Sequence, residues 1–251
     1  MSILVAFRKE WLELIRSHRL LVVAVVLAFF GLTSPLAAKF IPEIITLTLG
    51  AEISKIIPTP TVLDAIAQYT KNMGQFGIIL ALLLTMGAIG QEKDKGTAAM
   101  ILVKPLPRGA FLGAKFLSLT VMFAISLAIA GIGCYYYTLL LFEAMDSVHW
   151  MVLNLLLFVY VLVPVAITLL CSTITKSLAA SGGIALGMIA IGGLLGTITG
   201  WGKYLPGELI TWGARLMQGD TTSSWIAFGI SGGIILISLF AAWLIFRRQE
   251  L

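Results

Sequence analysis

The chain has 251 residues, of which 59% are hydrophobic and 12% charged, with a formal net charge of +5 and a mean hydropathy of +1.01. Water-soluble domains carry about twice that share of charge, so an ordinary soluble globular protein is excluded. A bilayer core of about 30 Å takes about 20 apolar residues as helix, and the expected architecture is an all-α integral membrane protein with residues 1–251 as one transmembrane domain.

In chain order, residues 4–18 place Leu4, Phe7, Trp11, Leu14 and Ile15 on one helical face and Arg8, Lys9, Glu13 and Arg16 away from it. That is the pattern of an interfacial amphipathic helix over 1–19, which serves either as an orientation anchor or as a contact for a cytosolic partner. Six apolar stretches are long enough to cross: 20–37, 74–90, 116–141, 150–174, 177–201 and 225–246. With a cytosolic N-terminus, Arg8, Lys9, Arg16, Arg19, Lys93, Lys95, Lys104, Arg108, Lys115, Lys176, Arg247 and Arg248 fall inside. Only Lys39, Lys55, Lys71, Lys203 and Arg215 fall outside, among seven acids. This asymmetry predicts cytosolic termini, and it explains the positive charge without a nucleic-acid partner. Trp150, Trp201 and Trp225 fall at predicted outer boundaries, where indole rings favour the headgroup layer. A cleaved leader ending near Leu36-Ala37-Ala38 is disfavoured by its length, by Glu10 and Glu13, and by an apolar run long enough to span. Cys134 and Cys171 belong to different depths and are expected to be unbridged packing residues.

The outer segment 38–73 contains Pro42, Pro58 and Pro60, expected to break it into pieces, and Thr61 with Asp64 caps a short helix carrying Val62, Ile66 and Tyr69. An extracytosolic gate and a solvated connector both fit. In the fifth span Gly183, Gly187, Gly192 and Gly196 recur at spacings that let helix backbones approach closely. Tight packing within the subunit, a dimer seam and a pore-lining helix are the alternatives. Residues 204–217 mix Leu205, Leu209, Trp212 and Leu216 with Glu208 and Arg215, as either a short helix dipping into the outer leaflet or an interfacial loop.

The most informative segment joins the second and third spans. In residues 91–115 charged positions precede an apolar centre, Thr97 to Val103, which has room for two helical turns and is stopped by Pro105 and Pro107. A short apolar helix between charged flanks suits docking in another protein's groove, although on periodicity alone a snug interfacial loop is the commoner explanation. Glu92, Gly96, Thr97, Pro105, Arg108 and Lys115, in that order, resemble the pattern of the permease subunits of type-2 ATP-binding cassette (ABC) exporters. The resemblance extends to Phe7-Arg8-Lys9-Glu10, the amphipathic helix, the six spans and the cytosolic termini. It implies that 91–115 holds a coupling helix, with Glu92, Gly96, Thr97, Met100, Pro105, Arg108 and Lys115 at an ATPase interface, and that Phe7, Arg8 and Trp11 belong to an elbow helix. It further implies a separate ABC ATPase subunit carrying ATP and Mg, and a second permease copy or a homologous permease.

No Gly-x-x-x-x-Gly-Lys-Ser/Thr phosphate loop is present, so no cofactor is expected on this chain, nor a catalytic residue. His18 and His149 lack a second ligand at helical spacing, and Asp146 with His149 reads as a solvated turn, so no metal site is expected. Between their ends the six stretches hold no Asp, Glu, Lys, Arg or His, against an intramembrane enzyme or a proton-coupled carrier. The expected function is export of a hydrophobic or amphipathic substrate across the cell membrane, along a path between subunits. The alternative is a membrane assembly or anchoring factor that binds a cytosolic partner without transport.

Overall fold

A computed structural model describes residues 3–49, 59–94, 107–198 and 200–249, and regular structure among them is helical throughout. The helices are α1 (Ile3–Arg16), α2 (Arg19–Leu49), α3 (Val62–Thr85), α4 (Gly90–Asp94), α5 (Arg108–Leu141), α6 (Ser147–Ile174), α7 (Leu178–Thr197), α8 (Glu208–Met217) and α9 (Trp225–Arg248). A 3-10 turn, Gly202–Tyr204, precedes α8. Six of these stretches are long and apolar enough to cross a membrane. Helix α6 is the central pole and packs on α3, α5, α7, α8 and α9. In its most apolar window 67% of residues are buried, against 11% in α7 and 17% in α9.

The core lies where α3, α5 and α6 meet, with Tyr69, Met73, Met122, Phe123 and Leu157 fully buried. Close backbone approaches there depend on glycine. A Cβ on Gly31 of α2 would stand 2.6 Å from the Ala130 carbonyl oxygen of α5, and one on Gly77 of α3 would stand 2.7 Å from Val161 of α6. Space left by Gly131 admits Asn154, whose Oδ1 accepts from the Tyr69 hydroxyl at 2.6 Å while its Nδ2 donates to the Trp150 carbonyl at 2.9 Å. A half-buried amide is thereby satisfied, as a polar group largely away from water requires.

Several elements differ from the sequence expectation. Helix α2 continues through Pro42 to Leu49 rather than breaking there; helices of this environment tolerate proline where neighbouring helices or local adjustment satisfy the freed backbone group. The Thr61 backbone N–H donates to Asp64 Oδ2 at 2.8 Å, but this cap starts α3 itself rather than a separate short helix. Residues 108–115 already belong to α5, and α7 stops at Thr197, which leaves Trp201 outside it. Trp150 is buried between Tyr69 and Tyr135, at ring distances of 5.0 and 6.4 Å, whereas Trp201 and Trp225 are exposed. On α1 the buried face is Ala6, Glu10 and Leu14, and Leu4 and Ile15 are exposed. Residues 208–217 form a helix rather than a loop, seated by Leu209 and Trp212. Cys134 and Cys171 are free and buried.

Candidate functional site

Both chain termini and the α3–α5 connection gather at one end of the bundle. Here α1 lies along α5 and brings Glu10 against Lys115, the eighth residue of α5. Both are nearly inaccessible, at 7% and 4% exposure. Lys115 Nζ donates to Glu10 Oε2 at 2.9 Å and to Glu92 Oε1 at 2.8 Å, so one ammonium joins α1, α4 and α5. Lys9 Nζ adds contacts of 2.8 Å to Glu10 Oε1, 3.0 Å to Glu13 Oε2 and 3.6 Å to Glu92 Oε1. These five side chains and Arg19 face a cavity of about 480 Å³. Burial alone would lower the Lys9 pKa, but the Glu10 hydrogen bond and the charges of Glu10 and Glu92, with Glu13, hold it above the ordinary 10.5. Burial likewise works against ionised Glu13, yet the Lys9 ammonium keeps its pKa below the ordinary 4.5.

Carboxylate oxygens of Glu10, Glu13 and Glu92 lie within 4.8 Å of one another, a spacing that suits a cation. The two lysine ammoniums already bridge them, and the arrangement is an ion-pair network.

The incoming end of the connection is fixed by backbone. The N–H groups of Ile89 and Gly90 both donate to Ser172 Oγ at 3.0 Å, at the last turn of α6. A side chain on Gly90 would crowd the Thr175 carbonyl oxygen at 3.1 Å. Lys93 Nζ donates to the Thr173 carbonyl at 2.5 Å and to Gln249 Oε1 at 3.2 Å. At the outgoing end, Arg108 Nη1 donates to the carbonyls of Phe246, Arg247 and Gln249 at 2.7, 3.0 and 2.7 Å. A guanidinium there satisfies carbonyls that the end of α9 leaves without intrahelical donors, and it complements the negative end of the helix dipole. The chain is thus anchored on both sides of segment 95–106, at Ile89, Gly90 and Lys93 and at Arg108. Of the residues the sequence nominated, Glu92, Arg108 and Lys115 are part of this anchoring; Gly96, Thr97, Met100 and Pro105 lie outside the described residues.

A family profile described as "ABC-2 family transporter protein" matches residues 4–251. The chain belongs to this family. It is therefore a membrane subunit of an ABC transporter, of a family that comprises a membrane domain without a nucleotide-binding domain. The uncharacterized transmembrane protein YxlG of Bacillus subtilis (strain 168) is 27% identical over 252 residues, covering 97% of this chain and 96% of YxlG.

In this ABC-2 subunit Phe7 and Trp11 stack with ring centroids 6.2 Å apart and are half-buried, while Arg8 is exposed. The four fifth-span glycines divide between two faces of α7. Nine residues separate Gly183 from Gly192, which is two and a half turns at about 3.6 residues per turn. Gly192 and Gly196 lie on the inward face with Ser181, Ala185 and Ile189, and Gly183 and Gly187 are exposed. No side chain or backbone stands within 4 Å of a Cβ built on Gly183, Gly187 or Gly192, so tight packing within the subunit does not account for them. At the opposite end of α6, Asp146 accepts from the Val148 N–H and contacts His149 Nδ1, at 2.8 and 2.9 Å, as an exposed helix cap.

The sequence reading missed Glu10 as a buried partner, and with it Ser172, Lys93 and Gln249. Only Glu10 carried a local signal: an acid at i+4 from Ala6 and i−4 from Leu14, in the middle of an otherwise apolar helical row.

Proposed function

We propose that the chain is the permease of an ATP-driven exporter, with the terminal end of the bundle in the cytosol and segment 91–115 seated on a separate ATPase subunit. The observation that carries this reading is the anchoring of the residues on either side of 95–106. A docked segment transmits movement only if both of its ends are held by spanning helices that can move with it. Glu92 and Lys93 hold one end to α1, α5, α6 and Gln249, and Arg108 with Lys115 holds the other. The basic residues Arg8, Lys93, Arg108, Arg247 and Arg248 at this end support its cytosolic placement.

On this reading Gly96, Thr97, Met100 and Pro105 belong to the part presented to the ATPase, which holds ATP and Mg. Phe7, Arg8 and Trp11 form the outer side of an elbow along the membrane surface. The exposed α7 face with Gly183 and Gly187 meets a second permease copy, and a hydrophobic or amphipathic substrate crosses the cell membrane between copies.

The test is co-purification with an ABC ATPase encoded by a neighbouring reading frame, followed by ATP hydrolysis with wild type, Glu92→Ala and Arg108→Ala. The expected result is a stable complex whose hydrolysis falls several-fold in both variants. If no ATPase binds, or if both variants couple normally, the anchoring-factor reading replaces this one.

A further inference from the structure

A second cavity, of about 530 Å³, lies between α6 and α7 at the end of the bundle away from the termini, beneath the 3-10 turn and the start of α8. This volume falls within the range of about 300 to 1,000 Å³ usual for small-molecule sites. Tyr160, Val163 and Pro164 form the α6 wall, and Gly192, Gly193 and Gly196 with Met188 form the α7 wall. The hollow exists because the glycines lack side chains: a Cβ at Gly192 or Gly193 would meet nothing within 4 Å.

The lining is apolar apart from a few oxygen-bearing groups, and Glu208 is the one side chain in it that is charged at neutral pH. Glu208 Oε1 accepts from Arg215 Nη2 at 2.6 Å and from Ser224 Oγ at 3.0 Å, which leaves Oε2 without a protein partner. Across the cavity, Pro164 has no N–H to give the Tyr160 carbonyl, the acceptor four residues earlier in α6. The Tyr160 ring is part of the same wall. Hydrogen-bond acceptors and an aromatic ring inside an apolar hollow select a cation that carries donors. An anion would face Glu208, while the Arg215 guanidinium is already engaged with that carboxylate.

We propose that this cavity binds an amphipathic amine, its ammonium on Glu208 Oε2 and the Tyr160 side of the wall, and its apolar body along the glycine face of α7. This deepens the transport reading by naming a substrate class and rests on that reading for movement; binding itself needs no ATPase, so the two fail separately.

The experiment titrates purified permease in lipid nanodiscs with a dansyl-labelled hexylamine and with its N-acetylated counterpart, which has the same apolar body and no charge. The amine is expected to bind about tenfold more tightly, the effect of one charge-assisted hydrogen bond. Glu208→Gln should erase that preference. Arg215→Gln breaks the same ion pair but frees the carboxylate, and it should keep or sharpen the preference. Gly192→Leu, whose Cβ meets nothing within 4 Å and whose longer branch enters the hollow, should abolish binding of both probes. Equal binding of the two probes by wild type overturns the proposal, as does a preference that survives Glu208→Gln. Loss of preference in Arg215→Gln as well would assign the pair to structure alone and also overturns it, and so would unchanged binding in Gly192→Leu. A complex that hydrolyses ATP with its ATPase partner yet shows no amine preference removes the site and spares the transport reading; amine binding by a permease that no ATPase joins does the reverse.

Discussion

Lys115 Nζ lies 2.8 Å from Glu92 Oε1, although the two residues are 23 positions apart. One ion pair therefore closes the base of the connection between α3 and α5. The same ammonium reaches Glu10 at 2.9 Å, so movement of the connection is shared with α1. With side-chain exposures of 5%, 9% and 15% for Lys115, Glu10 and Glu92, water screens these contacts little.

Removing the cation should therefore be costly. Lys115→Met leaves two largely buried carboxylates without the buried ammonium, beside the more exposed Lys9, and breaking a buried pair costs up to about 3–5 kcal/mol. For a chain of this size that is a fall in thermal midpoint on the order of 10 °C, measurable by the monodisperse fraction after heating in detergent. Lys115→Met combined with Glu10→Gln and Glu92→Gln should recover much of the loss, because the uncompensated charges are gone. A triple variant as unstable as the single one would contradict the ion-pair account.

Arg108→Ala should behave differently. Arg108 is partly exposed and caps three carbonyls at the end of α9, so its loss costs less, about 1–3 kcal/mol. The expected signature is local: a cysteine placed at Gln249 should react faster with a water-soluble maleimide in the Arg108→Ala background, with the thermal midpoint only slightly lowered. An unchanged reaction rate would show that the Arg108 contacts do not hold the C-terminal residues in place.

The six long helices were legible because about 20 apolar residues without charge leave few alternatives. Helix α1 was legible as amphipathic, but its packed face was not. Leu4 and Ile15 are apolar and exposed, Glu10 is charged and buried, and periodicity cannot know that Lys115 waits 105 residues later to neutralise Glu10. Arg108 shows the same limit, since the carbonyls it caps are those of α9, about 140 positions away. Small-residue spacing on α7 announced close packing, yet spacing says nothing about whether a helix lies opposite; the close contacts fall at Gly31 and Gly77, which belong to no regular repeat.

That contrast among glycines makes a paired prediction. Gly31→Leu drives a side chain into the Ala130 backbone of α5, where the built Cβ is already at 2.6 Å and backbone cannot yield cheaply. It should lower the yield of folded protein sharply, by at least the about 1–3 kcal/mol typical of overpacking. At Gly187 a Cβ meets nothing within 4 Å, and Gly187→Leu should leave the subunit's thermal midpoint unchanged. If the second copy sits on this face, Gly187→Leu should also shift the mass seen by light scattering from dimer to monomer. A dimer that persists moves the seam elsewhere.

The α1 contacts should respond to acid and be indifferent to moderate alkali. Glu13 is held below its ordinary 4.5 by Lys9, with burial opposing, so its contribution is present above that value and is lost as pH falls through the lower folded value. Lys9 is held above 10.5, so its contribution is full below 10.5 and is lost only as pH rises through the still higher folded value. From about pH 5 to about pH 10 the junction between α1 and α5 should therefore be constant, and below about pH 4 it should loosen. Trp11, which is half-buried on that junction, reports the change as a red shift of its fluorescence in a variant whose other tryptophans are replaced by phenylalanine. Glu13→Gln should weaken the contact at neutral pH and flatten its acid limb. An acid limb unaltered by Glu13→Gln would show that the Lys9–Glu13 contact does not govern the transition.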